Sequence, residues 1–136
     1  MSEVFADSHY FIALLNRRDQ YHASALECSR RYRANVVTTC WVLVEVADAL
    51  RDPSVRQATE RFIRTLRSGN DMEIVSDLQP WFDAGLKLYG ERPDKSWSLT
   101  DCISFSVMQA RGIREALSGD HHFEQAGFVP LLAAAQ

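Results

Sequence analysis

Five short runs of β-branched or apolar residues recur along the chain, each separated from the next by segments whose apolar residues carry helical spacing. This alternation constrains the fold more than any other feature of the sequence. The runs lie at 3–6 (EVFA), 35–39 (NVVTT), 72–75 (MEIV), 115–117 (EAL) and 128–132 (FVPLL). Helical patterns fill 10–15, 20–34, 40–50, 53–66, 78–89 and 99–111, with Pro53 suited to a first turn and Gly69 and Gly112 to helix ends. Strands joined by helices build a parallel sheet with helices on both faces, so a three-layer α/β/α domain with a central parallel sheet of about five strands is expected. No linker or repeat interrupts 1–136, which reads as a single domain. A chain of 136 residues buries roughly two thirds of its unfolded surface and needs no covalent staple. Cys28, Cys40 and Cys102 are odd in number and form no CxxC pair, which argues against a disulfide framework and a zinc knuckle and suits a reducing cytoplasm. No leader or membrane-length apolar run is apparent.

Ligands of such sheets bind beyond the carboxyl ends of the strands, and the residues there are acidic. Asp7 follows the first strand and Asp120 the fourth, while Glu45 and Asp101 fall near the starts of the helices beginning at about 40 and 99. Helix capping is a competing explanation for three of them: Asp7 and Asp120 are good N-caps, and Ser98-Leu99-Thr100-Asp101 fits a capping box. Glu45 has no such explanation. It lies inside WVLVEVADAL, where an ionised carboxylate needs a positive partner to offset its desolvation. Asp101 has a similar setting in LTDCISFSVM. Clustered carboxylates raise one another's pKa unless a hard, oxygen-preferring cation neutralises them, which suits Mg2+ or Mn2+. The histidines His9, His121 and His122 lack zinc-site spacing and read as solvated or cap-adjacent, with His121 or His122 able to touch a substrate.

Charge is sorted along the chain. The stretch 17–67 holds ten arginines and six acids, a net of +4, within a chain of net charge −3. Arginine suits phosphate, and Arg17 and Arg18 are candidates for tracking a nucleic-acid backbone. The spacing of Arg56, Glu60 and Arg64 also suits an ion-paired, solvated helix face.

The segments VFADSHYFIALLN, VLVEVADAL, WSLTDCISFSVM and LSGDHHFEQAGF, in this order and spacing, resemble the PilT N-terminus (PIN) domain family, and within it the VapC-type ribonuclease toxins of type II toxin–antitoxin pairs. The resemblance runs from Val4 to Leu132. It implies that Asp7, Glu45, Asp101 and Asp120 surround one or two Mg2+ (or Mn2+) ions. Asp7, Asp101 and Asp120 would hold the principal metal, and Glu45 would help hold a second or orient the attacking water. Ser8 matches a position where the family often has a hydroxyl near the metal, whereas His9 stands where a small residue is common. Asp94 and Lys95 stay outside the site.

The implied activity is metal-dependent endoribonuclease cleavage of single-stranded or looped RNA, leaving 5′-phosphate and 3′-hydroxyl ends. The implied partners are a cognate antitoxin covering the acidic cleft and a second copy of the chain, with apolar faces such as 10–15 or 62–66 available for homodimer contacts; no membrane is involved. Rival readings are a PIN-fold RNA- or protein-binding module without cleavage and, more remotely, a receiver-like phospho-aspartate domain. A receiver needs paired acids after its first strand and a lysine after its last, but Asp7 has no acidic neighbour and no lysine follows Lys95. A haloacid-dehalogenase-type phosphatase needs an Asp where His9 stands.

Overall fold

The computed structural model describes residues 2–136. In chain order the elements are β1 (Val4–Ala6), α1 (Ser8–Leu15), α2 (His22–Arg31), β2 (Val36–Thr38), α3 (Cys40–Ala49), α4 (Pro53–Ser68), β3 (Met72–Ile74), α5 (Leu78–Glu91), α6 (Leu99–Arg111), β4 (Glu115–Leu117), α7 (His121–Gln125) and β5 (Val129–Pro130). The strands form one five-stranded sheet in the order β3-β2-β1-β4-β5. Every pairing is parallel. Successive side chains of a strand point to opposite faces, and Val4, Phe5 and Ala6 of the central strand are all fully buried, so helices cover the sheet on both sides. The expected α/β/α architecture is thus the observed one. The element that periodicity does not delimit is the short helix α7, signalled in the sequence only by Asp120 as its N-cap.

Several contacts fix the elements that carry the acids. The Thr39 side chain accepts from the Val42 amide at 3.3 Å and caps α3, while the Thr38 hydroxyl donates to the Ala6 carbonyl at 2.8 Å, tying β2 to the end of β1. Helices α5 and α6 approach closely at Gly85, where a Cβ would lie 2.2 Å from Ile103 Cγ1 and 2.9 Å from its Cα; only glycine permits that spacing. Phe105 on α6 meets Trp97 and Phe123 edge-to-face at 5.1 and 4.9 Å between centroids, and Trp97 Nε1 donates to Gln125 Oε1 at 2.9 Å. This aromatic cluster fastens α7 to the start of α6. At the opposite end of the sheet Arg111 forks onto Glu3 and Glu73, at 2.9 and 2.7 Å from Nη2.

Of the two stretches named from sequence for pairing with another copy, 10–15 turns largely into the core, while Phe62, Ile63 and Leu66 are partly buried against it. Tyr10, Phe11 and Ala13 are buried, and Phe11 packs edge-to-face on Phe62 at 6.0 Å. Of the seven exposed large apolar side chains among the described residues, five lie on α3 and α5: Val44, Leu78, Phe82, Leu86 and Tyr89. On α4, Arg64 pairs with Glu60, whereas Arg56 donates to the Arg51 carbonyl at 3.0 Å, so only half of the expected ion-paired ladder forms. No described helix is long and apolar enough to cross a membrane.

Candidate active site

Asp7 ends β1 and occupies the N-cap position of α1, yet its side chain makes no capping bond. Its Oδ2 instead accepts from the Ser118 hydroxyl at 2.7 Å, and that hydroxyl accepts from the Asp120 amide at 3.0 Å. The parallel pairing of β1 with β4, Ala6 opposite Leu117, brings these distant residues together. Capping therefore does not explain Asp7. Burial pushes its carboxyl up from 3.8 to about 6; His9 and the Ser118 hydroxyl pull back part of the shift, and the neighbouring Glu45 charge adds to it.

Glu45 projects from α3, where its Oε1 accepts from the Ser8 hydroxyl at 2.6 Å. Burial raises its pKa, the Ser8 bond and His9 oppose that, and the charges of Asp101 and Asp120 raise it further. Asp101, on the first turn of α6, forms the expected capping box: its amide donates to Ser98 Oγ at 3.0 Å and its Oδ2 accepts from the Ser98 amide at 3.2 Å. Asp120 caps α7 by accepting from the His122 amide at 3.0 Å. Both capping acids also meet one imidazole, because His122 Nδ1 lies 3.1 Å from Asp101 Oδ2 and 3.4 Å from Asp120 Oδ2. Capping and membership of a shared cleft are thus compatible for these two.

The charge of Glu45 accordingly interacts with those of Asp7, Asp101 and Asp120, so the four sequence-selected acids border one crevice. Among the described residues, the lysine and arginine ion pairs all go to other acids: Glu3, Glu27, Glu60, Glu73, Glu91 and Asp94. Asp7 and Asp101 are buried and Glu45 and Asp120 half-buried, and an oxygen-only, anionic donor set without a lysine or arginine counterion fits a hard divalent cation. Asp120, His121 and His122 also offer three ligand atoms within 4.8 Å of one another, with His121 exposed. That trio leaves the desolvated Asp7 and Glu45 uncompensated.

A PIN domain model matches residues 4–129. The chain belongs to the PIN domain family. Among its relatives is the "23S rRNA-specific endonuclease VapC20" of Mycobacterium tuberculosis, in two strains, each 29% identical over 131 residues, covering 93% of this chain and 95% of the relative. A solved structure titled as the crystal structure of Mycobacterium tuberculosis VapC20, a sarcin–ricin loop cleaving toxin, superposes with a TM-score of 0.87 at 23% identity, covering 96% of this chain and all of that one. The latter similarity concerns the fold.

In this PIN chain Ser118 escaped sequence reasoning, and His122, read from sequence only as able to touch a substrate, contacts two of the acids. Ser118 signals nothing by itself, since serine before Gly-Asp reads as a turn. His122 could have been singled out by its place two residues after a helix-capping aspartate, where its amide must meet the Asp120 carboxylate. A third group of contacts borders the acids. The Tyr21 ring packs on Gly119, where a Cβ would lie 2.2 Å from Tyr21 Cζ, and the Tyr21 hydroxyl donates to the Gly119 carbonyl at 3.4 Å. Glycine is required there for the close approach, and Tyr21 thereby props the loop that presents Asp120.

The raised pKa of Asp7 has a measurable consequence. The folded carboxyl binds its proton more tightly than the unfolded one, so its contribution to stability is complete below about pH 4 and is lost as pH rises through about 6. In EDTA, the melting temperature of this PIN domain is expected to fall between pH 5 and pH 7.5, and Asp7→Asn to remove most of that fall; a fall that Asp7→Asn leaves intact would assign the titration elsewhere.

Proposed function

We propose that the chain is a divalent-metal-dependent endoribonuclease and the toxin of a type II toxin–antitoxin pair. The observation that carries this reading is the cluster of Asp7, Glu45, Asp101 and Asp120, in which burial raises the pKa of Asp7 and Glu45 and no lysine or arginine pairs with any of the four, at the carboxyl ends of the strands of a PIN fold. The VapC-type relatives support an RNA substrate and an antitoxin partner, and the name of those relatives supports a looped ribosomal RNA as the target.

Asp7, Asp101 and Asp120 would hold Mg2+ or Mn2+, with Glu45 at the second position. When bound, such an ion lowers the pKa of a water molecule and offsets the charge that develops on the phosphate during in-line displacement. The chain's own residues do the rest. Glu45, its basicity raised by burial and its carboxylate aimed by the Ser8 hydroxyl, takes the proton of the attacking water. Oxygen of that water bonds to phosphorus as the bond to the 3′-oxygen breaks; the 3′-oxygen acquires a proton from solvent, leaving 5′-phosphate and 3′-hydroxyl ends. Ser118 orients Asp7, and His122 holds Asp101 and Asp120 in register. The exposed Arg17 and Arg18 on the turn between α1 and α2 offer positive charge to the RNA backbone.

The deciding experiment incubates the purified protein with total RNA and with intact 23S rRNA, in Mg2+, Mn2+ or EDTA. Cleavage that EDTA abolishes and metal restores is the expected result. A folded, metal-binding protein that leaves both RNAs whole would favour a PIN module that binds without cutting. Divalent metal is further expected to raise the melting temperature more at pH 7.5 than at pH 5, because a protonated Asp7 cannot ligate.

An antitoxin encoded beside the chain would close the cleft with a basic or apolar segment. The face we assign to a second copy is that of α3 and α5, where Val44, Leu78, Phe82, Leu86 and Tyr89 stand beside a groove of about 530 Å³ lined by Leu43, Val44, Ala47, Ile63 and Leu78. Knobs and groove on one surface are the self-complementarity that a two-fold interface requires. Sedimentation should show a dimer that Leu86→Glu converts to monomer without altering the melting of the isolated subunit; an unchanged mass would remove this face from the interface.

A further inference from the structure

The ring of His9 borders the acidic cleft, and the catalytic reading above leaves it without a task. It stands two residues beyond Asp7, close enough to both Asp7 and Glu45 that the protonated ring lowers the pKa of each. The ring stacks on Tyr21, with centroids 6.2 Å apart and planes inclined by 22°. Tyr21 is itself held, its amide donating to Asp19 Oδ1 at 2.8 Å and its hydroxyl to the Gly119 carbonyl. One edge of the imidazole is therefore fixed in place. Nδ1 is buried and has no hydrogen-bond partner, although the residue as a whole is only half-buried.

That pattern leaves Nδ1 unpartnered in either tautomer of the neutral ring, as a donor or as an acceptor, and leaves Nε2 as the nitrogen able to meet an incoming group. A proton on Nδ1 would be a buried donor without an acceptor, at the full desolvation cost of an unmade bond, whereas a proton on Nε2 can be met by a group entering from the open side. A cleft lined by Asp7, Glu45, Asp101 and Asp120 repels a phosphodiester, so a hydrogen-bond donor at its edge has an evident ligand. We propose that His9 is a further substrate-contacting residue, donating from Nε2 to a non-bridging phosphate oxygen of the RNA strand lying in the cleft. The proposal rests on the ribonuclease reading and adds to it a contact that selects for a correctly placed backbone. Tyr21 sets the plane of the imidazole and so acts through His9.

The test is a double cycle on binding, read by fluorescence anisotropy in Mg2+ with the cleavage-blocked Asp101→Asn protein and a short, labelled, single-stranded RNA. One axis is His9→Phe, which keeps a ring against Tyr21 but has no donor. The other is a series of RNAs in which one phosphate at a time is replaced by a neutral methylphosphonate. His9→Leu is run beside His9→Phe, so that a folding defect in one leaves the cycle intact, and melting temperatures check both. Either substitution is expected to weaken binding about tenfold, the scale of one hydrogen bond to a charged group. One methylphosphonate linkage should weaken the His9 protein similarly and leave the His9-substituted protein indifferent. In otherwise unsubstituted protein the cleavage KM should rise by the same factor while kcat stays within about twofold. Binding that His9→Phe and His9→Leu leave unchanged, or losses that simply add at every linkage, would overturn the proposal while the ribonuclease reading stood. Failure of the unsubstituted and the Asp101→Asn proteins to bind RNA at all would overturn both.

Discussion

Asp101→Asn is expected to slow RNA cleavage by at least about 10²-fold, the scale of losing one preorganised electrostatic group, while the protein melts within a few degrees of the unsubstituted chain. The two effects separate because Asp101 has two tasks. Its Oδ2 accepts from the Ser98 amide in a capping box, and an asparagine carbonyl oxygen can accept the same bond. Its charge faces Glu45, whose pKa it raises, and the His122 imidazole at 3.1 Å. Asparagine removes that charge and so removes one of the proposed metal-holding groups. Single-turnover cleavage in Mg2+ and a thermal melt, on the same preparation, read both quantities. A protein that cleaves normally but loses about 1 kcal/mol would reduce Asp101 to a helix cap. Asp7→Asn makes a useful companion, since it should also lose activity but gain stability in EDTA at neutral pH, where the buried Asp7 anion is most costly.

Phe105→Ala is expected to cost about 3–5 kcal/mol, the range for emptying a large buried aromatic site, and to lower the melting temperature by roughly 10 °C or more. Phe105 is 2% exposed and makes edge-to-face contacts with both Trp97 and Phe123. Its removal opens a cavity between α6 and α7 that the Gly85 contact of α5 on α6 leaves little freedom to collapse. The same cluster sets the position of α7, whose first turn carries His122 and whose cap is Asp120. Cleavage measured well below the melting transition should therefore fall as well, because Asp120 and His122 lose register with Asp101. Phe105→Leu, which refills most of the space, should recover the larger part of both losses. Calorimetry with cleavage assays at low temperature distinguishes this from global unfolding, and a stable, fully active Phe105→Ala protein would deny the cluster any part in placing α7.

Local pattern determined a good deal of this protein. The alternation of β-branched runs with helical spacing specified strands 1 to 5 and a parallel sheet, and the acids after the first and fourth runs, together with Glu45 in an apolar helix, marked the crevice. These features are legible because strand and helix periodicity, caps and the desolvation of a carboxylate all depend on neighbours a few residues away. The tertiary structure decided the rest. Asp7 and Asp120 both read as N-caps, yet only Asp120 caps, because the parallel pairing of β1 with β4 puts the Ser118 hydroxyl 2.7 Å from Asp7. His122 became the bridge between Asp101 and Asp120 only when the Trp97–Phe105–Phe123 cluster docked α7 on α6. The apolar face proposed for a second copy is that of α3 and α5, whereas Tyr10, Phe11 and Ala13 turn into the core, because an amphipathic stripe carries no record of which stripe will cover it. Periodicity names the kind of element and the side it buries; which strands lie side by side, and hence which distant side chains share a cleft, follows from packing between segments far apart in the chain.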